Sequence, residues 1–420
     1  MRAQNRHNYL YVSYLLTFLC LVNGNLFTWL FDGTPLKMWR QYLLLIYIFI
    51  TFFTSSFHNN KTLVLYKRKM TMSFVWVLFL SILTVISQSY NPVRIFYAIY
   101  ILYFGTAFLG FGFSLKESSF SLDSFAKFLT ILGVFFSFGL AVDAATGGLI
   151  TLFFRFYGEG DDDYISSRHQ FLAEAPQVFG VAYSLCLWGV FFLLYRTKKI
   201  LSQLLLYICI IIFFFGASFT GTRQILLVLF IFSFINLITY IKKKGLTKIL
   251  LPSFLVALVG LSFAYQFKNI DASGNLQERY FGSGADKADN ERIDYINEGL
   301  EEFVYSGDIL KVILGNGLGY VSSKATDNEI NGSNYENTFF AGISNYGIIC
   351  FFFLLYPIIY VCKKSLHDKG NRMNVMSVSL LLCHLMICLL SPNGFYPTSM
   401  MSIYIIMSIY MAGIYRDYRI

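Results

Sequence analysis

The chain has 420 residues, of which 56% are hydrophobic, 19% aromatic and only 14% charged, with a mean hydropathy of +0.56. So few polar groups exclude an aqueous surface wrapped over the whole chain and point to a membrane protein. The formal charge of +9 does not point to nucleic acid, because the basic residues sit at the ends of apolar stretches rather than on one face, a topological pattern.

A spanning helix needs ~20 mostly apolar residues, and about a dozen such stretches follow one another along the sequence. The first runs from Tyr9 to about Leu30; it is long for a cleavable signal peptide and has no clear small-residue cleavage site, so it reads as the first span. The others are expected at about 41–57, 72–88, 93–114, 126–147, 176–195, 200–220, 222–241, 249–267, 338–361, 374–390 and 399–415. The expected fold class is all-α, a polytopic transmembrane helical bundle of about 12 spans that makes residues 1–420 a single integral membrane domain. A cytoplasmic N-terminus puts "KTLVLYKRK", "RTKK", "KKKGLTK" and "KKSLHDKGNR" on one side, with 21 of the 33 Lys and Arg. Six lie on the other side and six in the long 268–337 segment, which its length exempts from the charge rule. The basic side is the cytoplasmic one, and an even span count returns the C-terminus to it. The seven cysteines fall in or at the ends of apolar stretches, so neither a disulfide framework nor a zinc ligand set is apparent.

Two segments, 148–175 and 268–337, are expected as periplasmic loops, and they carry 18 of the 24 acidic residues. In the first, Asp161, Asp162 and Asp163 read most simply as a solvated face, with metal binding the lesser option. In the second, "DNERIDYINEGLEEFVYSGD" has the spacing of an amphipathic helix, capped by Asp289 or Asn290, with Ile293, Ile296, Leu300, Phe303 and Val304 on one stripe. The apolar run that follows ends in Gly315, Gly317 and Gly319, glycines that suit a plain turn or, less simply, a phosphate cradle. Their spacing is neither a Walker nor a Rossmann pattern.

Arg223, in "SFTGTRQ", interrupts two apolar stretches at the expected outer end of two spans. An arginine keeps its charge and at the bilayer centre is penalised by ~2.5–3.5 kcal/mol on insertion scales. Snorkelling to headgroups is one reading; small and polar neighbours favour another, a close-packed wall facing a cavity. Arg168 and His169, Glu174 before Pro176, Arg292 and the pair Glu336–Asn337 belong to the same expected side. Arg292 opens a helix, where a cation opposes the dipole unless an anion pairs with it. Several guanidiniums at one membrane face suit a lipid-linked diphosphate, and a nearby carboxylate suits deprotonation of an attacking hydroxyl. That set fits glycosyl transfer from a diphosphate leaving group; a transporter is close behind.

These outer segments resemble the O-antigen polymerase family, the Wzy-type polysaccharide repeat-unit polymerases, which are related to the O-antigen ligases. The resemblance covers the layout of spans and loops and four local patterns. An arginine before Glu-x-Pro at a span start is similar to Arg168, Glu174 and Pro176 in "SRHQFLAEAP". A Ser/Thr/Gly-rich arginine is similar to Arg223. An arginine, an aromatic and a Gly-x-Gly turn resemble Arg292, Tyr295, Gly315, Gly317 and Gly319. A His-Asn pair before a span with Tyr-Gly resembles Glu336, Asn337, Tyr346 and Gly347. Glu336 stands where ligases have histidine and Tyr295 where tryptophan is frequent; the first departure favours a polymerase over a ligase.

The resemblance implies that undecaprenyl-diphosphate-linked oligosaccharide repeats are joined into O-antigen or a similar polysaccharide at the periplasmic face of a bacterial inner membrane. It implies Arg223 and Arg292 on the donor diphosphate and Glu336 as base. Arg168, with Glu174, Tyr295, Gly317, Gly319 and Asn337, then contributes to substrate binding. No cofactor or metal is expected, since the lipid diphosphate is already activated. The implied partners are the bilayer, the lipid-linked glycan, a chain-length regulator and a flippase, with no nucleic acid. An O-antigen ligase and a lipid-linked oligosaccharide flippase are the alternatives.

Overall fold

A computed structural model describes residues 122–154, 169, 171–172, 178–244, 307–315, 338–367 and 372–390, with isolated positions between 68 and 83 and between 294 and 305. Among the described residues every element is helical and no strand occurs. The helices are α1 (Leu122–Ala145), α2 (Leu149–Phe154), α3 (Val178–Arg196), α4 (Ile200–Ser218), α5 (Arg223–Lys244), α6 (Ile309–Leu314), α7 (Thr338–His367) and α8 (Arg372–Leu390). Within α1, α3, α4 and α5 lie four segments long and apolar enough to cross a membrane: Asp123–Ala145, Phe179–Arg196, Ile200–Ser218 and Arg223–Tyr240. They match the expected spans at 126–147, 176–195, 200–220 and 222–241 to within a few residues. The expected spans at 9–30, 41–57, 93–114, 249–267 and 399–415 lie outside the described residues.

Helix α3 is the axle of the described bundle. From Ala182 to Trp188 every residue but Ser184 is essentially without exposure, so all of its faces meet other helices rather than lipid, the mark of a helix apolar all round. Its antiparallel neighbour α1 is tied to it at mid-height by Ser137 Oγ and Tyr183 Oη, 3.0 Å apart, and at one end by Arg196 Nη1 donating to Asp123 Oδ2 at 2.8 Å. Parallel to α3 runs α5, with Phe191 against Phe232, and Tyr195 Oη donating to the Asn236 carbonyl at 2.8 Å. On α5 the residues Ile225, Val228, Leu229 and Phe232 are buried, whereas Leu227, Phe230 and Phe234 are exposed. This is one helix with an inner apolar stripe and an outer one, as a lipid-facing position requires.

Close approach of α4 to α1 depends on small residues, the usual device where no water drives helices together. A Cβ at Gly216 would stand 2.5 Å from Cα, Cβ and Oγ of Ser137. Because backbone cannot swing aside, Gly216→Val is expected to destabilise the bundle by about 1–3 kcal/mol, read as an earlier thermal midpoint of the detergent-solubilised protein. An unchanged midpoint would mean that α1 and α4 are not in this register.

The remaining helices extend the bundle. Helix α8 packs on α5, where Cys383 Sγ lies 3.5 Å from the Val228 carbonyl oxygen, and α7 packs on α8 and on α6. Helix α7, expected as one span at 338–361, is broken: Gly347 has φ 72° and ψ 161°, so two helical pieces meet at a kink. In the long segment expected as a loop, the apolar run before Gly315 forms α6, capped by the Asp308 carboxylate accepting from Lys311 N at 3.1 Å. Upstream, Asp294, Asn297 and Leu300 are helical, with Asp294 and Asn297 exposed and Leu300 half-buried on its expected stripe.

Candidate functional site

At the end of the bundle away from Asp123 and Arg196, a group of polar side chains is buried: Asp143, Thr151, His169, Thr220, Thr222 and Gln224. The local sequence explains how they meet. Helix α1 ends in "AATGG"; Gly147 and Gly148 take positive φ, and Gly148 N–H returns to the Asp143 carbonyl at 2.7 Å. The reversal lays α2 back over the end of α1, so Thr151 N donates to Asp143 Oδ1 at 2.9 Å and Thr151 Oγ1 donates to Asp143 Oδ2.

Beyond α2, the chain returns at His169 and Phe171. His169 Nδ1 stands 3.4 Å from Asp143 Oδ2, within range of a charge contact but without the alignment of a hydrogen bond. Phe171 N–H donates to Thr151 Oγ1 at 3.2 Å. Its backbone is left-handed, φ 47°, which costs a non-glycine residue roughly 1–3 kcal/mol. The Phe171 ring meets Phe135 at 5.6 Å and lies on Gly139, where an added Cβ would come within 2.7 Å of the ring Cδ1. A carboxylate with no exposed surface would lose several kcal/mol if left unpartnered. Asp143 is held by the Thr151 amide, the Thr151 hydroxyl and the His169 ring.

The third segment is the turn between α4 and α5. His169 N–H donates to the Phe219 carbonyl at 3.3 Å, and Thr222 Oγ1 donates to the Thr220 carbonyl at 3.1 Å. Gly221, at φ 62°, supplies the left-handed step that turns the chain into α5. Arg223 is the first residue of α5 and is exposed, although its neighbours Thr222 and Gln224 are buried. The small polar neighbours thus form a packed shelf, and the guanidinium stands at its edge rather than inside a closed interior. No acidic residue occupies the first turn of α5, so Arg223 adds its charge to the positive end of the helix dipole, an arrangement that suits an anion.

Of the polar residues singled out from the sequence at the expected outer face, Arg223 and His169 have their side chains described. Arg168, Glu174, Arg292, Tyr295, Gly317, Gly319, Glu336 and Asn337 lie outside the described residues, as do Asp161 to Asp163. Gly315 caps α6 with φ 75°, and Gly347 forms the kink of α7. An alanine Cβ at Gly347 would overlap the Ile313 carbonyl and stand 2.6 Å from the carbonyl carbons of Ile313 and Leu314, so α6 is seated directly on the kink. Asp143 is an acid inside an apolar stretch followed by two glycines, Gly147 and Gly148. Its pairing with Thr151 and with His169, 26 residues away, carried no local signal. No family model matches this chain, and no curated protein or solved structure matches it either.

Proposed function

We propose that the chain is a membrane glycosyltransferase of the polysaccharide polymerase type, acting at the periplasmic face on undecaprenyl-diphosphate-linked oligosaccharide repeats. The reading includes a bundle of about 12 spans with both termini in the cytoplasm of a bacterium. One observation carries it: the residue following Arg168 is hydrogen-bonded to the turn preceding Arg223, at a polar corner whose edge presents a guanidinium on a helix N-terminus. In the proposed reaction a hydroxyl at the non-reducing end of an incoming lipid-linked repeat attacks the anomeric carbon of the growing glycan. The bond from that carbon to the donor diphosphate breaks, and the lipid diphosphate leaves with the electron pair. Arg223 and Arg292 hold the departing charge, and Glu336 accepts the hydroxyl proton. Arg168, Glu174, Tyr295, Gly317, Gly319 and Asn337 bind the remaining substrate, and a chain-length regulator and a flippase are its functional partners.

The test is the lipid-linked pool in a strain lacking this chain. Single repeats accumulating on the lipid at the outer face, with long surface polymer gone, are the expected result. Repeats accumulating inside would assign the chain to flipping, and long polymer left on the lipid carrier would assign it to ligation.

A further inference from the structure

We propose that Asp143 and His169 are positioning residues, a buried pair that locks the returning loop onto the turn before Arg223 and thereby sets where that guanidinium stands. The proposal rests on reading Arg223 as a ligand of the donor diphosphate. Its basis is the way three segments distant in sequence are joined. The Asp143 carboxylate takes both polar groups of Thr151; the Thr151 hydroxyl takes the Phe171 backbone N–H; and His169, its ring beside the carboxylate, gives its backbone N–H to the Phe219 carbonyl. The route ends four residues before Arg223.

Stability alone is a poor reason for this corner. Apolar side chains of similar volume close such a space at no greater cost than a buried charge, and often at less. The corner also keeps Phe171 in a left-handed backbone, a strain that persists only where surrounding contacts over-determine it and that gathers at functional sites. A charged group that fixes one geometry, joined through His169 to the turn before an exposed arginine, is the arrangement expected of a residue that places another. Just below lies apolar packing of another kind: Phe136, Phe179, Tyr183 and Phe213 follow one another at ring distances of 5.6 to 5.8 Å.

The experiment uses the full chain in lipid nanodiscs and compares wild type with Asp143→Asn, His169→Gln and Thr151→Val. Ser137→Ala, deeper on α1, is the control. Backbone amide exchange is followed at 219–225 and, for reference, at 183–190. Each of the three corner variants is expected to speed exchange at 219–225 by about tenfold or more while the reference segment keeps its rate. Ser137→Ala should leave the turn unchanged. With lipid-diphosphate-linked repeats as substrate, Asp143→Asn is expected to lower turnover at saturation about tenfold and to change the half-saturating donor concentration less than about threefold. Wild-type exchange at 219–225 in the variants overturns the lock. Faster exchange with unaltered turnover upholds the lock and instead removes the reading of Arg223 as a group acting on the donor diphosphate. Should Asp143→Asn not accumulate, Thr151→Val and His169→Gln carry the same comparison, since each cuts one side of the carboxylate.

Discussion

Gly347→Ala is expected to unseat α6 from α7 and to destabilise this part of the protein by at least ~2–3 kcal/mol, a sum of two independent penalties. The first is conformational: φ 72° with ψ 161° is a region that only glycine enters freely. The second is steric, because the added methyl would meet the carbonyl groups of Ile313 and Leu314, which are backbone and cannot rotate away. Relief requires either that the kink straighten into continuous helix or that α6 leave. In both cases the loop segment that ends at Gly315 loses its seat. Limited proteolysis of the membrane-embedded protein reads this directly: cleavage near 309–315 should appear in Gly347→Ala and not in wild type. Equal protection of that segment in the two proteins would show that α6 does not depend on the kink. Broken helices in membrane proteins are tolerated where other groups satisfy or cover the interrupted backbone, and here α6 is the cover.

Arg223→Ala should abolish long polymer without disturbing the bundle. The position is exposed at the first turn of α5, where a substitution usually alters stability by about 0.5 kcal/mol or less, and the thermal midpoint of the purified variant checks this. Alanine is also the best helix former. A loss of function with an unchanged thermal midpoint would report chemistry rather than folding. Removing one preorganised group that stabilises a leaving charge costs on the order of 100- to 1000-fold in turnover, and that range is expected for Arg223→Ala. Arg223→Lys keeps the charge but not the planar fork, so it should fall between the two. The length distribution of surface polysaccharide, with protein level checked, is the measurement. Unchanged long chains in Arg223→Ala would discard the diphosphate role and leave snorkelling to headgroups as the account of this arginine.

Much of the helical frame was legible without coordinates, because hydropathy is a local property. A run of apolar residues long enough to cross a bilayer must satisfy its own backbone, and a helix does this within the run. The ends of α1, α3, α4 and α5 accordingly fall where "RTKK", "SFTGTRQ" and the Asp143–Gly148 stretch interrupt the apolar sequence. The break in α7 was less legible. Tyr346–Gly347 stood out as a motif, but glycine is common in membrane helices, and nothing nearby in sequence announced that α6 would press its carbonyls against this one.

The polar corner marks the boundary of what local reading reaches. Composition and spacing were enough to mark Arg223 as a charge in unusual company, since a charge inside an apolar run is costly wherever the run goes. Which groups answer each charge depends on how helices pack, and packing brings together residues that sequence separates. Thr151 reaches Asp143 because the chain reverses at two glycines; His169 reaches it from 26 residues away; Phe219 reaches His169 from 50. Contacts of that reach are set by distance and angle between elements, and neither quantity is encoded in any short stretch of residues.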